Sequence, residues 1–377
     1  MNEVNKKKII AVAIVFLVVV SAVMVYVVLD SLEVFNPPSS EPIVEEKLPE
    51  EEEVLDPIAV KVMGMMQQLD EPMIRGYIEK ITSFGPHVTA HRLRYKLSNR
   101  PIIGKFFDLP IEKVASYLYN EFESMGLEVR YQYWEQEPTI KNLRKYPAGR
   151  WLLGDNIEAV LPGTDTSSDE IYLLVAHYDT KETHYDTNEH RFVRKCVGAN
   201  DDTSGVALLL AAAKLMSQYS FNHTVVFLAV SGEEQGLMGS HAYAEEALKN
   251  NDNIVAAIAI DMIGTRAPGI RNTEVIVAGD IDNVSSWIVN FTINVNQRYP
   301  EFLNFTIIHD DPLKCDSDHR PFLKRGYEAV IVSEAANDYD WHKPSDTLEN
   351  MDTSYTTEVS RLLLAVVAEL AWDVEYE

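Results

Sequence analysis

The chain has 377 residues, 46% of them hydrophobic, and sets 33 Lys and Arg against 58 Asp and Glu for a formal net charge of -25. That much apolar sequence can bury a large core, while the charge excludes a nucleic-acid reader, which needs a basic stripe to meet phosphates. Two cysteines exclude a scaffold built on disulfides.

The first element is an uncharged apolar run from Ile9 to Leu29, long enough as a helix to cross a hydrocarbon core of about 30 Å. Lys6, Lys7 and Lys8 stand just before it, so the positive-inside bias keeps residues 1–8 in the cytoplasm and exports everything after Leu29. A cleaved signal peptide would have an apolar core of about 7 to 15 residues and a small-residue cleavage site. Here the run is longer and leads into Asp30-Ser31-Leu32-Glu33, which favours an uncleaved anchor in the bilayer. Residues 30–56 follow with ten acids against Lys47 and the segments NPPSSEP and PEEEE. Such a stretch buries too little to fold alone and reads as an extended, solvated stalk. Residues 57–377 remain as one domain, whose acidity serves solubility without pointing to any substrate.

Within that domain, Met73–Thr82 and Ile111–Met125 carry apolar residues at helical spacing, and GLEVRYQYW alternates as a strand does. Four short apolar or β-branched runs then read as buried strands: Ile171–Ala176, Thr224–Val230, Ile254–Ile260 and Glu328–Val332, with a helix over Val206–Met216 between the first two. Continuous apolar strands separated by helices predict an α/β fold, a three-layer sandwich with a mostly parallel central sheet. In such sheets the ligand crevice lies beyond the carboxyl ends of the strands.

The residues suited to metal lie at those ends. They are His177 and Asp179 in LLVAHYDT, Asp201 in GANDDTSG, Glu233 and Glu234 in FLAVSGEEQGLMGS, Asp261 in AIAIDMIG and His342 in YDWHKPSDTL. Imidazole and carboxylate are zinc ligands, and five of them with a spare acid match a two-metal hydrolytic site. Each has a plainer explanation alone: a satisfied core histidine for His177, a turn former for Asp179, helix capping for Asp201 and Asp202, solvated loop acids for Glu233 and Glu234, a strand-end turn for Asp261 and a surface loop for His342. All of these at once, in this order at strand ends, require many coincidences. Cys196 precedes GANDD and Cys315 precedes DSDH; in an exported protein a bridge between the two loops and two free thiols are both open.

HYDT, GANDDTSG, SGEEQGLMGS, AIDMIG, SDHRPF and WHKPSDTL together resemble the successive motifs of metallopeptidase family 28, the two-zinc aminopeptidases of bacterial leucyl aminopeptidase type. The resemblance runs from about Tyr77 to the C-terminus. It implies a zinc-exopeptidase, phosphorylase/hydrolase-like sandwich that removes residues from peptides with a free N-terminus, using two zinc ions bridged by one aspartate and one water. Carried over, His177 and Asp261 would bind one zinc, Glu234 and His342 the other, and Asp201 both. Glu233 would be the general base, and Asp179 would accept the other ring N–H of His177. A cis peptide after the bridging aspartate is also implied, and Asp318 and His319 would be structural or substrate-side. Glutaminyl cyclases, with the same fold and one zinc, share the HYD, DMIG-like, DHxPFL and WH elements. GANDDTSG and the uninterrupted EEQGLMGS favour the peptidase. A non-catalytic, receptor-like ectodomain would show substituted ligand positions, and none is substituted. Neither a G-x-S-x-G elbow nor an HExxH helix is present.

Overall fold

The computed structural model describes residues 56–88, 93–95, 109–136, 150–181, 184–186, 191–193, 196–266, 273–278, 285–309, 316–335 and 340–376. They fall in a unit running from Leu55 to Glu377. The expected anchor, nearly all of the expected stalk, and Cys315 lie outside the described residues, so the Cys196 pairing does too; Cys196 itself is buried. Among the described residues no helix is long and apolar enough to cross a membrane.

Two capped helices open the unit. α1, Pro57–Gln68, starts at Asp56, whose carboxylate accepts the Ile58 N–H ahead of a proline in the first turn, and α2, Glu71–Thr82, starts in the same way at Asp70. Ile74, Tyr77, Ile78 and Ile81 form the buried stripe of α2, the i, i+3, i+4, i+7 spacing of a helix with one inward face. After the short strand β1, Leu93–Tyr95, helix α3, Pro110–Ser124, buries Ile111, Val114, Leu118 and Phe122 in the same manner.

Strands β2 (Glu128–Gln136), β3 (Arg150–Leu161) and β4 (Glu170–His177) follow. A small hairpin, β5 (His184–Asp186) with β6 (Arg191–Val193), stands apart from the main sheet. Then come α4 (Thr203–Met216), β7 (Thr224–Val230), α5 (Met238–Asn250), β8 (Asn253–Ile260), β9 (Thr273–Ala278), α6 (Ser286–Arg298), β10 (Phe305–Ile308), α7 (Arg320–Leu323), β11 (Ala329–Glu334) and α8 (Thr353–Ala371). The main sheet is ordered β1-β3-β7-β4-β8-β11-β9-β10, with β2 paired to β3.

The strands β7, β4, β8 and β11 run parallel, and so do β9 and β10. The pairings β1 with β3, β2 with β3, β3 with β7 and β11 with β9 are antiparallel. The expectation of a mostly parallel sheet is corrected by these four: the described sheet is evenly mixed. Burial on both faces, which the apolar runs report, is common to central strands of either direction, so it carries no information about the strands that flank them.

Both faces of the sheet are covered. Tyr172, Leu174 and Ala176 of β4 and Val225, Phe227 and Ala229 of β7 join a large cluster with α1 to α4, α6 and α8. Their sequence neighbours Leu173, Val175, Val226, Leu228 and Val230 join a smaller cluster with Tyr243, Ala244 and Ala247 of α5 and Phe322 of α7. This period of two places alternate residues on opposite sides. α4 is buried nearly all round, as a helix apolar on every side must be.

Candidate metal centre

The register of the parallel strands sets the site. His177, the last residue of β4, pairs with Val230, the last of β7, and Val175 pairs with Ala259 one residue before the end of β8. His177, the loop after β7 and Asp261 therefore emerge on one edge of the sheet. The loop after β7 turns tightly through Gly232, whose φ is 80°, and a Cβ there would come within 2.7 Å of the Trp134 ring. Only glycine meets both conditions, and the turn delivers Glu233 and Glu234 to the edge. On the neighbouring loop Gly198, φ 62°, lies where a Cβ would come within 2.4 Å of the Asp201 carbonyl oxygen.

Asp201 and Asp202 divide two duties. Asp202 caps α4 through the Gly205 N–H at 3.0 Å, and its carboxylate also accepts the N–H groups of His177 and Met262 at 3.2 Å. It thus joins the ends of β4 and β8 to the start of α4. The Asp201–Asp202 peptide is cis, and Asp201 reaches between the two histidines. His177 Nε2 is 3.1 Å from Asp201 Oδ1 and 3.8 Å from Asp261 Oδ1. His342 Nε2 is 3.2 Å from Asp201 Oδ2 and 3.3 Å from Glu234 Oε1. Two triads result, His177-Asp201-Asp261 and Asp201-Glu234-His342, each with its ligand atoms within 4.8 Å of one another. Asp201 offers one oxygen to each. His342 and Met262, the residue after Asp261, hold φ 59°, a region sparsely populated by residues with side chains and concentrated at functional sites.

The residues fit metal. His177 Nε2 and Glu234 Oε1 are buried without a hydrogen-bond partner, which costs free energy unless something else meets them. Burial opposes a charge on either ring, yet the carboxylates of Asp201 and Asp261 hold His177 well above the usual histidine range, and those of Asp201 and Glu234 lift His342 to about 9. Both rings face a place that stabilises positive charge, and an imidazole and carboxylate donor set is one that zinc takes.

The structure brings all five expected ligands together and revises Asp179. The Nδ1 of His177 lies 3.0 Å from the Asp179 backbone carbonyl, whereas the Asp179 carboxylate is 3.8 Å away. That carboxylate instead accepts the Glu233 N–H at 3.1 Å, so it orients the neighbouring loop, and burial pushes it up to about 7. Glu233 belongs to neither triad. Burial raises its carboxyl well above the ordinary range, against the pull of His177 and with the added repulsion of Glu234, Asp261 and Asp318. Asp318 is buried and accepts the Ser240 hydroxyl; burial pushes it up to about 6.

Two features escaped the sequence. Lys181 ion-pairs with Glu234 Oε2, leaving Oε1 toward His342; its only signal was one cation close after HYDT. Trp341, half exposed, stacks on the His342 ring with centroids 3.8 Å apart.

The sequence pattern of peptidase family M28 matches residues 156–367, which include both triads. A relative from Leptosphaeria maculans called a probable zinc metalloprotease is 24% identical over 346 residues, 82% of this chain and 76% of its own length. Among solved structures, the LapA aminopeptidase of Legionella pneumophila superposes with a TM-score of 0.64 at 17% identity, covering 90% of this chain and 80% of that one. Porphyromonas gingivalis glutaminyl cyclase gives 0.62 at 18% identity, covering 80% and 98%. At such identities the structural likeness speaks for the fold alone.

Proposed function

The chain belongs to peptidase family M28, and from that premise we propose that it is a zinc aminopeptidase with two ions per chain. The observation that carries this reading is the sharing of Asp201 between two triads. A single-zinc cyclase site would leave one triad without a role. In the reading, His177 and Asp261 hold one ion, Glu234 and His342 the other, and Asp201 both. The relatives called probable zinc metalloproteases support zinc as the metal. When bound, the pair of ions would make water a better nucleophile at neutral pH and polarise the scissile carbonyl.

The chain's own groups do the rest. Glu233, the carboxyl outside both triads, takes a proton from the attacking water and passes it to the leaving amine. Asp179 fixes Glu233 through its backbone N–H and, through its carbonyl, the tautomer of His177. Lys181 balances the outer oxygen of Glu234. We further place residues 9–29 in a bilayer, with the catalytic unit on the extracytoplasmic side.

The test is to load the protein with zinc, count ions per chain, and assay aminoacyl nitroanilides beside peptides with N-terminal glutamine. Two ions with amide hydrolysis is the expected result. One ion with cyclisation and no hydrolysis would overturn the aminopeptidase reading in favour of the cyclase.

A further inference from the structure

We infer that Asp346 is a positioning residue: it clamps the segment carrying the shared ligand Asp201 to the loop carrying His342, and so sets how tightly the metal pair is held. The inference rests on the two-metal reading above. Asp346 lies four residues after His342 in WHKPSDTL and is 2% exposed. Its loop is folded back by the Lys343 N–H donating to the Asp340 carbonyl at 2.9 Å and the Asp346 N–H donating to the Lys343 carbonyl at 3.1 Å. Three consecutive N–H groups of the opposite loop end on this one residue. Asn200 donates to Oδ1 at 2.7 Å, Asp201 to Oδ2 at 3.2 Å, and Ala199 to the Asp346 carbonyl at 3.4 Å.

The chemistry explains why an acid stands there. Residues 199–201 precede α4 and belong to no strand, so no ladder takes their N–H groups, and leaving them buried and unmet is costly. An ionised carboxylate accepts at both oxygens and donates nothing, whereas an amide would turn its NH2 toward one of the donors. The same segment is gripped from the other side. Asn200 Oδ1 accepts the Gly264 N–H at 2.7 Å, and its Nδ2 donates to Glu334 at 3.2 Å, which ties it to the loop that follows β8 and to the last residue of β11. Asp201 is thus fixed by its own backbone between the loops of Asp261 and His342, and Asp346 supplies the His342 side of that clamp. Residues of this kind, one bond removed from a ligand, commonly change metal affinity about 10- to 100-fold when altered.

Zinc affinity of the full-length protein, read by competition with a chromophoric chelator and with folding checked by circular dichroism, tests this directly. Asp346→Asn should weaken zinc by about 10- to 100-fold, and Asp346→Glu, which keeps both acceptor oxygens, should lose less. If Asp346→Asn does not fold, Asp346→Glu alone must still bind zinc more weakly than the parent. Glu369→Gln is the control for general destabilisation. It removes a buried acid on α8 that is hydrogen-bonded by Tyr299 and Tyr376, and it should lower the metal-free unfolding midpoint with zinc affinity unchanged. Parent-like zinc affinity in the folded Asp346 variants, or equal weakening in Glu369→Gln, overturns the inference. Both outcomes presuppose a parent that loads two ions; a parent that does not would defeat the functional reading instead.

Discussion

Glu234 brings Oε1 to 3.3 Å from His342 Nε2, while Glu233 joins neither triad, so two adjacent carboxylates are available for different work. If Glu233 is the base and not a ligand, Glu233→Ala keeps the parent's zinc content and loses about 10²- to 10⁴-fold in kcat. Metal analysis beside steady-state kinetics checks it, and a variant with the parent's rate would remove the base assignment. At this scale the residues of the two triads were legible because each stands just past an apolar run or within a dense polar motif. The duty of Asp179 was not, because whether a carbonyl or a carboxylate meets the His177 ring depends on a turn that residue types do not encode. Lys181 was hidden for another reason: its partner Glu234 lies 53 positions away and only the fold makes them neighbours. Asp346 sat inside a motif already read for its histidine, and its chemistry is a backbone pairing that leaves no sequence signature.

Among the elements, β7 spans Thr224–Val230 as its apolar run predicts, and β4, β8, β11, α2, α3 and α4 depart from expectation by only a few residues at their ends. β3 escaped because it carries Asp155, Asn156 and Glu158 where a run would be expected. Buried Asn156 is met by Gln132 and the Gly239 carbonyl, and buried Glu158 by Arg130 and Tyr243, so tertiary partners replace the apolar pattern. α7 is a four-residue helix too short for periodicity to register, yet it makes a measurable demand. His319, at its N-terminus, is fully buried with neither ring nitrogen hydrogen-bonded, and burial, reinforced by Arg320, pushes its pKa down from 6.5 to about 3. The folded state therefore binds the proton less well than the unfolded chain. The stability tied to the neutral ring is intact above pH 6.5 and is lost as pH falls from there toward about 3, with a slope on the order of 1.4 kcal/mol per pH unit. His319→Phe sacrifices no hydrogen bond and removes the titration. Urea unfolding of the metal-free proteins from pH 7 to 5 should show a shallower decline for the variant, and equal slopes would contradict the account.

For the whole molecule, the proposed anchor over residues 9–29 is the part left to test. Most apolar side chains among the described residues of the unit from Leu55 onward lie in internal clusters. Among the described residues the exposed large hydrophobics are Val60, Tyr131, Tyr133, Leu248 and Trp341, singly or as a pair on β2, and such scattered side chains are ordinary for a soluble surface. The net charge of -25 repels anionic lipid, so electrostatic adhesion is also disfavoured. If residues 9–29 nevertheless span a bilayer, the attachment must be hydrophobic and indifferent to salt, since screening acts on charges and not on a buried apolar helix. The full chain should then sediment with membranes through a 1 M salt wash and dissolve only in detergent. A chain begun at Asp56 should stay in the supernatant, with its zinc content and turnover unchanged. Release of the full chain by salt would rule out the anchor, and so would its recovery in soluble form cleaved near Leu29, which would make residues 9–29 a removable leader.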